Sequence, residues 1–412
     1  MTVIYLPEAI KTISSLLDKA GFESFIVGGC VRDSLLNKNP KDWDMCTNAT
    51  PEQMKKVLMN YKTIDTGIKH GTITVHTDSM DVEVTTYRID GNYSDGRHPD
   101  DITFTSDLIE DLSRRDFTIN AMAYNDKVGL VDPFDGKEDL YNGILSCVGN
   151  ANTRLNEDGL RILRAIRFAL KYQLRLDYDL KEAIIDNSDL LLNISRERIH
   201  NEIKQILRYT YKQPQLLKSF KEVMLKIFPQ LTYANYEYTI DLISLFKECT
   251  EETIFLSCLV WDIDSSKDAS QLLKSLKLDS DTFNKVLQLH QYRFYNVANF
   301  TEYQIKDLLR KIGYTQFYTL NVIQEVHHQV LINNISKVSS RITDIIENNE
   351  CYRLDQLDIK GDDIKSLGIE EGPMIGYALE DCIRAVTSEK INNKKLELLE
   401  YIKKEYKNVI VR

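Results

Sequence analysis

The hydrophobic pattern of the chain changes at about residue 150, and this change limits the folds that are open to it. Before that point, short apolar or alternating segments that predict strands are mixed with helical segments. Beyond it the periodicity is helical, and no further convincing strand follows. Because single hydrophobic cores stop growing near about 250–300 residues, a chain of 412 residues should form two or more domains.

The composition is that of an ordinary soluble globular protein, with 43% hydrophobic and 28% charged residues. The first residues lack the basic and apolar segments of a signal peptide, and no run of about 18 apolar residues predicts a membrane span. The seven cysteines are scattered and form no C-x-x-C pair, so we expect reduced thiols. These features predict a cytoplasmic protein without a membrane partner.

The net charge of −10 argues superficially against nucleic acid as a partner. The charge is unevenly distributed, however: residues 151–235 carry 15 Lys and Arg against 10 Asp and Glu, whereas residues 1–150 and 236–412 are both acidic. A basic segment between acidic ones can attract a polyanion locally. A charge difference of this size also fits ordinary variation along a sequence, so the charge alone does not decide whether the protein binds nucleic acid.

A Gly-Gly element follows the first predicted strand. Phe25-Ile26-Val27 is a short apolar run, Gly28 and Gly29 come directly after it, and a helix is predicted from Val31 to Leu36 with Arg32 in its first turn. Glycines let backbone N–H groups approach a ligand closely. Bare amides, a helix start and a guanidinium together suit a phosphate, although a solvated turn is the plainer interpretation.

Two carboxylates lie about ten residues further on. If Asp42-Trp43-Asp44 is a strand, Asp42 and Asp44 share one face and Trp43 points into the core. Two carboxylates on one face can hold a divalent metal, most naturally Mg²⁺ with substrate phosphate oxygens. Glu83, in the alternating segment that starts at Asp81, is a candidate third carboxylate. A charged strand kept for solubility is the alternative in both places.

The segment 88–104 is rich in Gly, Asp and Pro and predicts a long loop. A capping-box-like pattern at Ser113 then predicts a helix that places Asp116 and Asn120 on one face. Their side chains could bind a ribose hydroxyl, and Arg115 could reach a phosphate. Helix capping and surface charge would explain the same residues.

A second charged row lies in residues 156–168, which predict one helix. Asp158 and Arg161 are three residues apart, and Arg164 and Arg167 continue the same row. Such a row is usually a solvated face with ion pairs. Because apolar residues fill the opposite side, the row could instead line a cleft.

The Asp158 and Arg161 pair has a defined chemical meaning if it faces a nucleobase. A carboxylate accepts from an exocyclic amine and a guanidinium donates to a ring nitrogen, which matches the edges of cytosine and adenine. Uracil and guanine would leave buried groups unpaired, at a cost of about 1–3 kcal/mol per group. Two side chains could therefore accept C and A and reject U and G.

Five motifs in order resemble the bacterial-type (class II) tRNA nucleotidyltransferases, the CCA-adding enzymes and their poly(A) polymerase relatives. The residues that carry the resemblance are Gly28-Gly29-x-Val31-Arg32-Asp33 with Asp42-x-Asp44, Arg114-Arg115-Asp116-Phe117-Thr118-Ile119-Asn120-Ala121, Asp132-Pro133-Phe134, Glu157-Asp158-x-x-Arg161-x-x-Arg164-Ala165-x-Arg167-Phe168, and Ser195-x-Glu197-Arg198-Ile199. Each motif is weak alone, but their order and spacing are specific and cover most of the chain.

The resemblance implies an α+β fold. A polymerase-β-like nucleotidyltransferase head with a small mixed or antiparallel sheet would be followed by all-helical regions. The implied domains are a head at 1–148, a neck at 149–210, a body at 211–330 and a tail at 331–412.

The resemblance also implies site roles. Asp42 and Asp44 would hold Mg²⁺, with Glu83 as an auxiliary carboxylate. The implied nucleotide-binding residues are Gly28, Gly29 and Arg32 at the triphosphate, Arg115, Asp116 and Asn120 at phosphate and ribose, Asp158 and Arg161 as the amino-acid template, and Arg164 and Arg167 in support. The implied partners are CTP, ATP and tRNA, held at its 3′ end and, through residues 360–363 and 372–376, at its elbow.

The implied activity is template-independent addition of CCA to the tRNA 3′ end by two-metal nucleotidyl transfer. One departure from the family pattern is His98, since Arg97-His98-Pro99-Asp100 stands where Arg-Arg-Pro-Asp is usual. Presence of that loop argues against CC-only addition. An A-adding enzyme that needs tRNA ending in CC, a poly(A) polymerase and a catalytically idle RNA-binding protein remain alternatives.

Overall fold

The computed structural model describes residues 3–91, 101–327 and 332–408. The departure at residues 97–100 therefore lies outside the described residues. The chain divides into two compact units, residues 1–232 and residues 233–412.

The first unit contains every strand of the described residues, and most of them form one sheet. In chain order the strands are β1 (Ser24–Val27), β2 (Asp44–Thr47), β3 (Lys62–Gly67), β4 (Thr72–His76), β5 (Asp81–Thr86), β6 (Arg88–Asp90), β7 (Ile102–Phe104), β8 (Ala123–Asn125), β9 (Gly129–Val131), β10 (Ile144–Leu145) and β11 (Arg175–Leu176).

The main sheet has seven strands in the order β3-β4-β5-β2-β1-β8-β9. Its strands pair antiparallel except β2 and β5, which pair in parallel with Asp44 opposite Glu83. The strands β6 and β7 form a separate antiparallel ribbon, and β10 pairs in parallel with β11. The head is therefore the mixed sheet that the resemblance implies.

Helices pack on this sheet within the first unit, and the regular elements of the second unit's described residues are helices. In the first unit they are α1 (Glu8–Lys19), α2 (Gly29–Leu35), α3 (Pro51–Val57), α4 (Leu108–Ser113), α5 (Gly136–Asn142), α6 (Ala151–Glu157), α7 (Arg161–Tyr172), α8 (Tyr178–Asp186), α9 (Arg196–Tyr209), α10 (Pro214–Ser219) and α11 (Lys221–Ile227). In the second unit they are α12 (Tyr236–Leu245), α13 (Glu252–Val260), α14 (Ser266–Ser275), α15 (Ser280–Tyr292), α16 (Glu302–His327), α17 (Ile332–Glu347), α18 (Gly361–Lys365), α19 (Pro373–Thr387) and α20 (Lys395–Glu405).

Strand β1 is buried on both faces, because the alternation of its side chains serves two cores. Ile26 packs in a cluster with α1 and α3, whereas Phe25 and Val27 pack in a second cluster with α4. The apolar run Phe25-Ile26-Val27 is thus an interior strand of the sheet, between β2 and β8. Gly28 follows it directly and precedes the first residue of α2.

Helix α1 spans Glu8–Lys19, and α3 begins with Thr50 as a capping-box residue and Pro51 at its first position. All seven cysteines are free. None of the described helices combines the length and the hydropathy that a membrane crossing requires.

Four predictions about element boundaries are wrong. Strand β2 begins at Asp44, so Asp42 precedes it. Ser113 ends α4 instead of opening a helix, and residues 118–120 form only a 3₁₀ turn. The ends of the predicted 88–104 loop are paired as β6 and β7. The helical region is not wholly free of strands, since β11 pairs with β10.

The predicted helix over residues 156–168 is also wrong, because the chain breaks between α6 and α7 at Asp158. Asp158 has extended backbone angles, and its Oδ1 atom accepts a hydrogen bond from the backbone N–H of Leu160 at 3.0 Å. This side chain competes with helical hydrogen bonding, as short acidic side chains commonly do. Apolar spacing alone does not show such a break.

Candidate active site

A cleft of about 720 Å³ in the first unit collects most of the predicted site residues. Its lining includes Gly28, Gly29, Arg32, Asp42, Asp44, Arg115, Asp116, Asn120, Asp158, Arg161, Arg164 and Arg167. Of the predicted set, only Glu83 is outside this lining. Residues as far apart in the chain as Gly28 and Arg167 thus meet in one place, which the local patterns alone did not establish.

The cleft is cationic although the chain is acidic. Nine Lys and Arg side chains line it against five Asp side chains, whereas the chain has a net charge of −10. Burial, followed by the neighbouring Arg32, lowers the pKa of Lys171 in this wall to about 8. Such a concentration of positive charge in a concave site attracts a polyanion.

Gly28 shapes the floor of the cleft directly after β1. Its φ is +78°, in the left-handed region that favours glycine, and a Cβ atom here would lie 3.1 Å from Nη1 of Arg115. The backbone at this point therefore comes close to the guanidinium. A larger residue would be strained and would displace Arg115.

Asp42 and Asp44 both line the cleft, and Trp43 between them is buried in the core. Burial and then the nearby carboxylates of Glu83 and Asp42 raise the pKa of Asp44, although Arg115 opposes this. Glu83 is exposed and lies opposite Asp44 across the β2–β5 pair. Like charges held together in this way fit a divalent cation, whose binding would relieve their repulsion.

The described residues contain no group of three or more His, Cys, Asp or Glu side chains that is already arranged to hold a metal. Asp42 and Asp44 are the two cleft carboxylates that lie closest together in the sequence, and two carboxylates leave room for donors from a substrate. Mg²⁺ commonly binds in this manner, with one or two carboxylates and substrate phosphates.

Asp111 positions two arginines at the cleft wall. It is fully buried, and it accepts from Nε of Arg114 at 3.1 Å and from Nη2 of Arg115 at 3.2 Å. Burial opposes ionisation of Asp111, but Arg115 and Arg114 outweigh it and lower its pKa. Among the described residues no acceptor reaches the buried Nε of Arg115.

The carboxylate of Asp116 accepts hydrogen bonds from three residues around the site. Its carboxylate accepts from the backbone N–H of Phe117 at 2.8 Å, from Nδ2 of Asn120 at 3.0 Å and from Nε and Nη2 of Arg164, the former at 3.0 Å. Asn120 in turn accepts from Nη1 of Arg32. Asp116 and Asn120 are therefore neighbours, as predicted, although they lie in a turn and not on a regular helix.

Arg32 lies between the start of α2 and the end of α7. Its guanidinium stacks over the rings of Tyr172 and Phe168, with centroid distances of 4.5 and 5.3 Å. Asp33 accepts from Nε of Arg32 at 3.0 Å and from the hydroxyl of Tyr172 at 2.9 Å. These contacts hold the guanidinium of Arg32 in a defined position at the cleft.

Asp158 and Arg161 are both in the cleft, but they are not paired with each other. Oδ2 of Asp158 accepts from Nη2 of Arg198 at 2.6 Å. Arg161 donates through Nη1 to the carbonyl of Arg154 at 2.7 Å and also to Oε2 of Glu157. Because the helix is interrupted at Asp158, Asp158 and Arg161 do not lie in the one row on a single helix that the spacing predicted.

Arg164 and Arg167, the rest of the arginine row, form ion pairs and also line the cleft. The interpretation as a face with ion pairs and the interpretation as a cleft wall therefore both apply in part. Arg164 binds Asp116, and Nε of Arg167 lies 2.5 Å from Oε2 of Glu202. Arg167 further stacks on the ring of Phe168 at 4.4 Å. These partners hold the guanidinium groups in defined positions.

Sequence reasoning missed several residues of the cleft, namely Arg88, Asp90, Arg114, Leu160, Phe168, Lys171 and Arg198. For Arg114 and Arg198, the sequence contained a pattern that could have indicated a structural role, namely a carboxylate at the spacing of a helical ion pair. Asp111 precedes Arg114 and Arg115 by three and four residues, which is ion-pair spacing on a helix. Arg198 and Glu202 are likewise four residues apart on α9, where one meets Asp158 and the other Arg167.

Comparison with known proteins gives this architecture a family. The model of the poly A polymerase head domain matches residues 24–146, that of the probable RNA- and SrmB-binding site of polymerase A matches residues 173–234, and that of the putative tRNA nucleotidyltransferase domain 2 matches residues 247–402. The head fold and the cleft define a nucleotidyltransferase of the poly(A) polymerase class.

Relatives of nearly the same length narrow this class. The chain is 35% identical to the CCA-adding enzyme of Ligilactobacillus salivarius over 98% of each chain, and 33% identical to that of Listeria monocytogenes over 94% of this chain and 95% of the relative. The crystal structure of the Bacillus stearothermophilus CCA-adding enzyme in complex with CTP superposes with a TM-score of 0.81, 25% identity and coverage of 98% and 99%. The chain belongs to the CCA-adding enzymes.

The network around Asp116 makes a prediction about stability. Burial opposes ionisation of this carboxyl, but Arg164 and Asn120 outweigh it and lower its pKa from 3.8 to about 2. A lowered carboxyl pKa stabilises the fold above the unfolded-state pKa, and this contribution is lost as the pH falls through the folded-state value. The wild type should therefore lose about 2 kcal/mol of unfolding free energy between about pH 4 and pH 2 that Asp116→Asn does not lose.

Urea unfolding of both proteins across this range measures the difference. Asp189→Asn is the control, because Asp189 forms an exposed ion pair with Lys226 outside the cleft. Its stability gap to the wild type should stay nearly constant with pH. A constant gap for Asp116→Asn as well would show that Asp116 is not held ionised by this network.

Proposed function

We propose that the protein adds C, C and A in turn to the 3′ end of tRNA, using CTP and ATP, without a nucleic-acid template. The observation that carries the proposal is that one cleft holds the acidic pair Asp42 and Asp44, the base-matching pair Asp158 and Arg161, and a cationic wall between them. A nucleotide spanning this cleft would place its phosphates, sugar and base against separate groups. The relatives named as CCA-adding enzymes, one of them in complex with CTP, support this assignment.

The triphosphate would bind at the Gly28–Gly29 backbone and Arg32. Arg32 is already fixed by Tyr172, Phe168 and Asp33, so little side-chain freedom is lost when it meets a phosphate. Arg115 would add a second contact, since it also lines the cleft. Asp116 and Asn120 would face the ribose hydroxyls, because both residues line the same cleft.

The reaction proposed here is attack of the tRNA 3′-hydroxyl oxygen on the α-phosphorus. The bond from that phosphorus to the β-phosphate oxygen breaks, pyrophosphate leaves, and the hydroxyl proton is lost to solvent. Mg²⁺ bound by Asp42 and Asp44, with Glu83 as an auxiliary charge, would lower the hydroxyl pKa and neutralise charge in the two-metal manner. The cleft cations would orient the triphosphate, since positioning and charge stabilisation dominate phosphoryl-group chemistry.

Base selection would come from Asp158 and Arg161. Asp158 would accept from the exocyclic amine of cytosine or adenine, and Arg161 would donate to the adjacent ring nitrogen. Arg164 and Arg167 would support these two, since their ion pairs with Asp116 and Glu202 fix that side of the cleft.

We further propose that the chain is organised as a head at residues 1–148, a neck at 149–210, a body at 211–330 and a tail at 331–412. In this scheme the tail, around residues 360–363 and 372–376, would bind the tRNA elbow. The putative tRNA nucleotidyltransferase domain 2 that matches residues 247–402 would span parts of both the body and the tail.

Primer extension tests the activity as a whole. Purified protein with Mg²⁺, CTP and ATP should add three nucleotides to tRNA that ends at the discriminator base, and one A to tRNA that already ends in CC. Addition of A alone, and only to the CC-ended tRNA, would instead make the protein an A-adding enzyme. Binding of tRNA with no addition to either substrate would contradict an enzymatic role.

Replacing Asp44 with Ala should lower turnover by at least about 100-fold, because a group that stabilises transition-state charge is typically worth this much or more. Binding of tRNA, measured by gel shift, should stay near the wild-type value. Asp18→Ala is the matched control, since Asp18 pairs with Lys127 in an exposed ion pair of the same unit. Normal turnover of the Asp44 variant would show that the metal assignment is wrong.

Replacing Asp158 with Ala should mainly change selectivity. Loss of the amine acceptor should reduce the preference for CTP over UTP by about tenfold or more, which corresponds to roughly 1.4 kcal/mol. Binding of the triphosphate should change far less, because its contacts lie elsewhere in the cleft. Incorporation of each nucleotide under single-turnover conditions measures the preference, and an unchanged preference would rule out Asp158 as the template.

A further inference from the structure

The two proposed template residues are occupied by other side chains of the protein. Both oxygens of Asp158 are in use: Oδ1 accepts from the backbone N–H of Leu160 at 3.0 Å, and Oδ2 accepts from Arg198 at 2.6 Å. Arg161 donates to Glu157 as well as to a backbone carbonyl. A carboxylate oxygen can accept more than one hydrogen bond, so a base that approaches Oδ2 of Asp158 meets Arg198 there and either shares this oxygen with it or replaces it.

The partners offer the same hydrogen-bonding functions as a cognate base. Arg198 presents N–H donors to Asp158, as the amine of cytosine or adenine would. Glu157 presents an acceptor to Arg161, as a ring nitrogen would. Arg198 and Glu157 thus present to Asp158 and Arg161 the same donor and acceptor that a cytosine or adenine edge would present.

Burial gives this arrangement a physical reason. The side chains of Asp158 and Arg198 are only 14% and 21% exposed, so an unpaired charge on either would be costly. Arg198 lies in the first turn of α9, and that helix packs directly on α7. It can therefore keep Asp158 paired whenever no base is bound.

We propose that Arg198 is a displaceable latch on the template, so that binding of a cognate base is an exchange of partners at Oδ2 of Asp158. This inference rests on the proposed role of Asp158 in base selection. A cytosine or adenine amine replaces the Arg198 donor and keeps the carboxylate satisfied. Uracil and guanine bring a carbonyl to the same place, so they leave the latch closed and bind through their phosphates alone.

The exchange has a consequence for affinity that can be measured. In the wild type, CTP must break the Arg198 contact before it gains its own, whereas UTP breaks nothing. Removing the latch therefore strengthens CTP binding relative to UTP. If Arg198 instead stays in place and only orients Asp158, its removal weakens CTP relative to UTP, so the two accounts predict changes of opposite sign.

The test uses equilibrium dissociation constants of CTP and UTP for the full chain, without tRNA. Arg198→Met removes every donor while keeping much of the side-chain length, and Arg198→Gln is the milder variant. Both should raise the UTP-to-CTP ratio of dissociation constants, the first by about tenfold, which corresponds to about 1.4 kcal/mol. Using the ratio cancels any general loss of attraction for the triphosphate.

Arg196→Met is the matched control, because Arg196 lies in the same turn of α9 but contacts the backbone carbonyl of Ile227 at 3.4 Å, outside the cleft lining. Its ratio should equal that of the wild type. A ratio that falls or stays constant in both Arg198 variants would overturn the latch.

Asp158→Ala, measured beside them, separates this failure from failure of the proposed function. If Asp158→Ala lowers the ratio while the Arg198 variants do not raise it, Asp158 selects the base but Arg198 is no latch. If Asp158→Ala leaves the ratio unchanged, the template assignment itself is wrong and the latch proposal falls with it.

Discussion

The buried carboxylate of Asp116 is the interaction on which the geometry of the cleft depends. It joins the turn after α4 to Arg164 of α7, and through Asn120 it reaches Arg32 beside the Gly28–Gly29 backbone. A buried charge of this kind is stable only when its partners are all in place. The same contacts therefore fix the position of Arg32 relative to that of Arg164 across the cleft.

The charge distribution follows from the same principle. The cleft concentrates cations in a chain that is acidic as a whole, and buried aspartates hold several of those cations in fixed positions. Asp111 holds Arg114 and Arg115, Asp116 holds Arg164, and neither carboxylate depends on solvent to stay ionised. A site that is already organised loses little conformational freedom on binding a triphosphate, which is the physical meaning of preorganisation.

Much of this could be predicted from the sequence, because the motifs lie in segments whose local pattern is strong. The apolar run of β1, the helix α1 and the capped start of α3 follow directly from periodicity and capping residues. The family resemblance then placed an α+β head before helical regions, and the comparisons confirm it.

The sequence could not show which side chains pair across long distances. Asp116 and Arg164 are 48 residues apart, and Asp158 and Arg198 are 40 apart, so no local rule links them. The helix boundaries at Ser113 and Asp158 were also missed, because there aspartate side chains bond to nearby backbone N–H groups and interrupt the helical pattern. The spacing of apolar residues does not indicate where a side chain will compete with the helix for backbone N–H groups.

A double-mutant cycle on Asp116 and Arg164 tests the central claim, that one ion-pair network sets the whole cleft. The dissociation constant of CTP would be measured for the wild type, Asp116→Asn, Arg164→Gln and the double variant. If the pair acts as a unit, the double variant binds CTP about as weakly as the weaker single variant, with a coupling of about 1.5–3 kcal/mol. Losses of affinity that simply multiply would show two independent contacts and contradict the account.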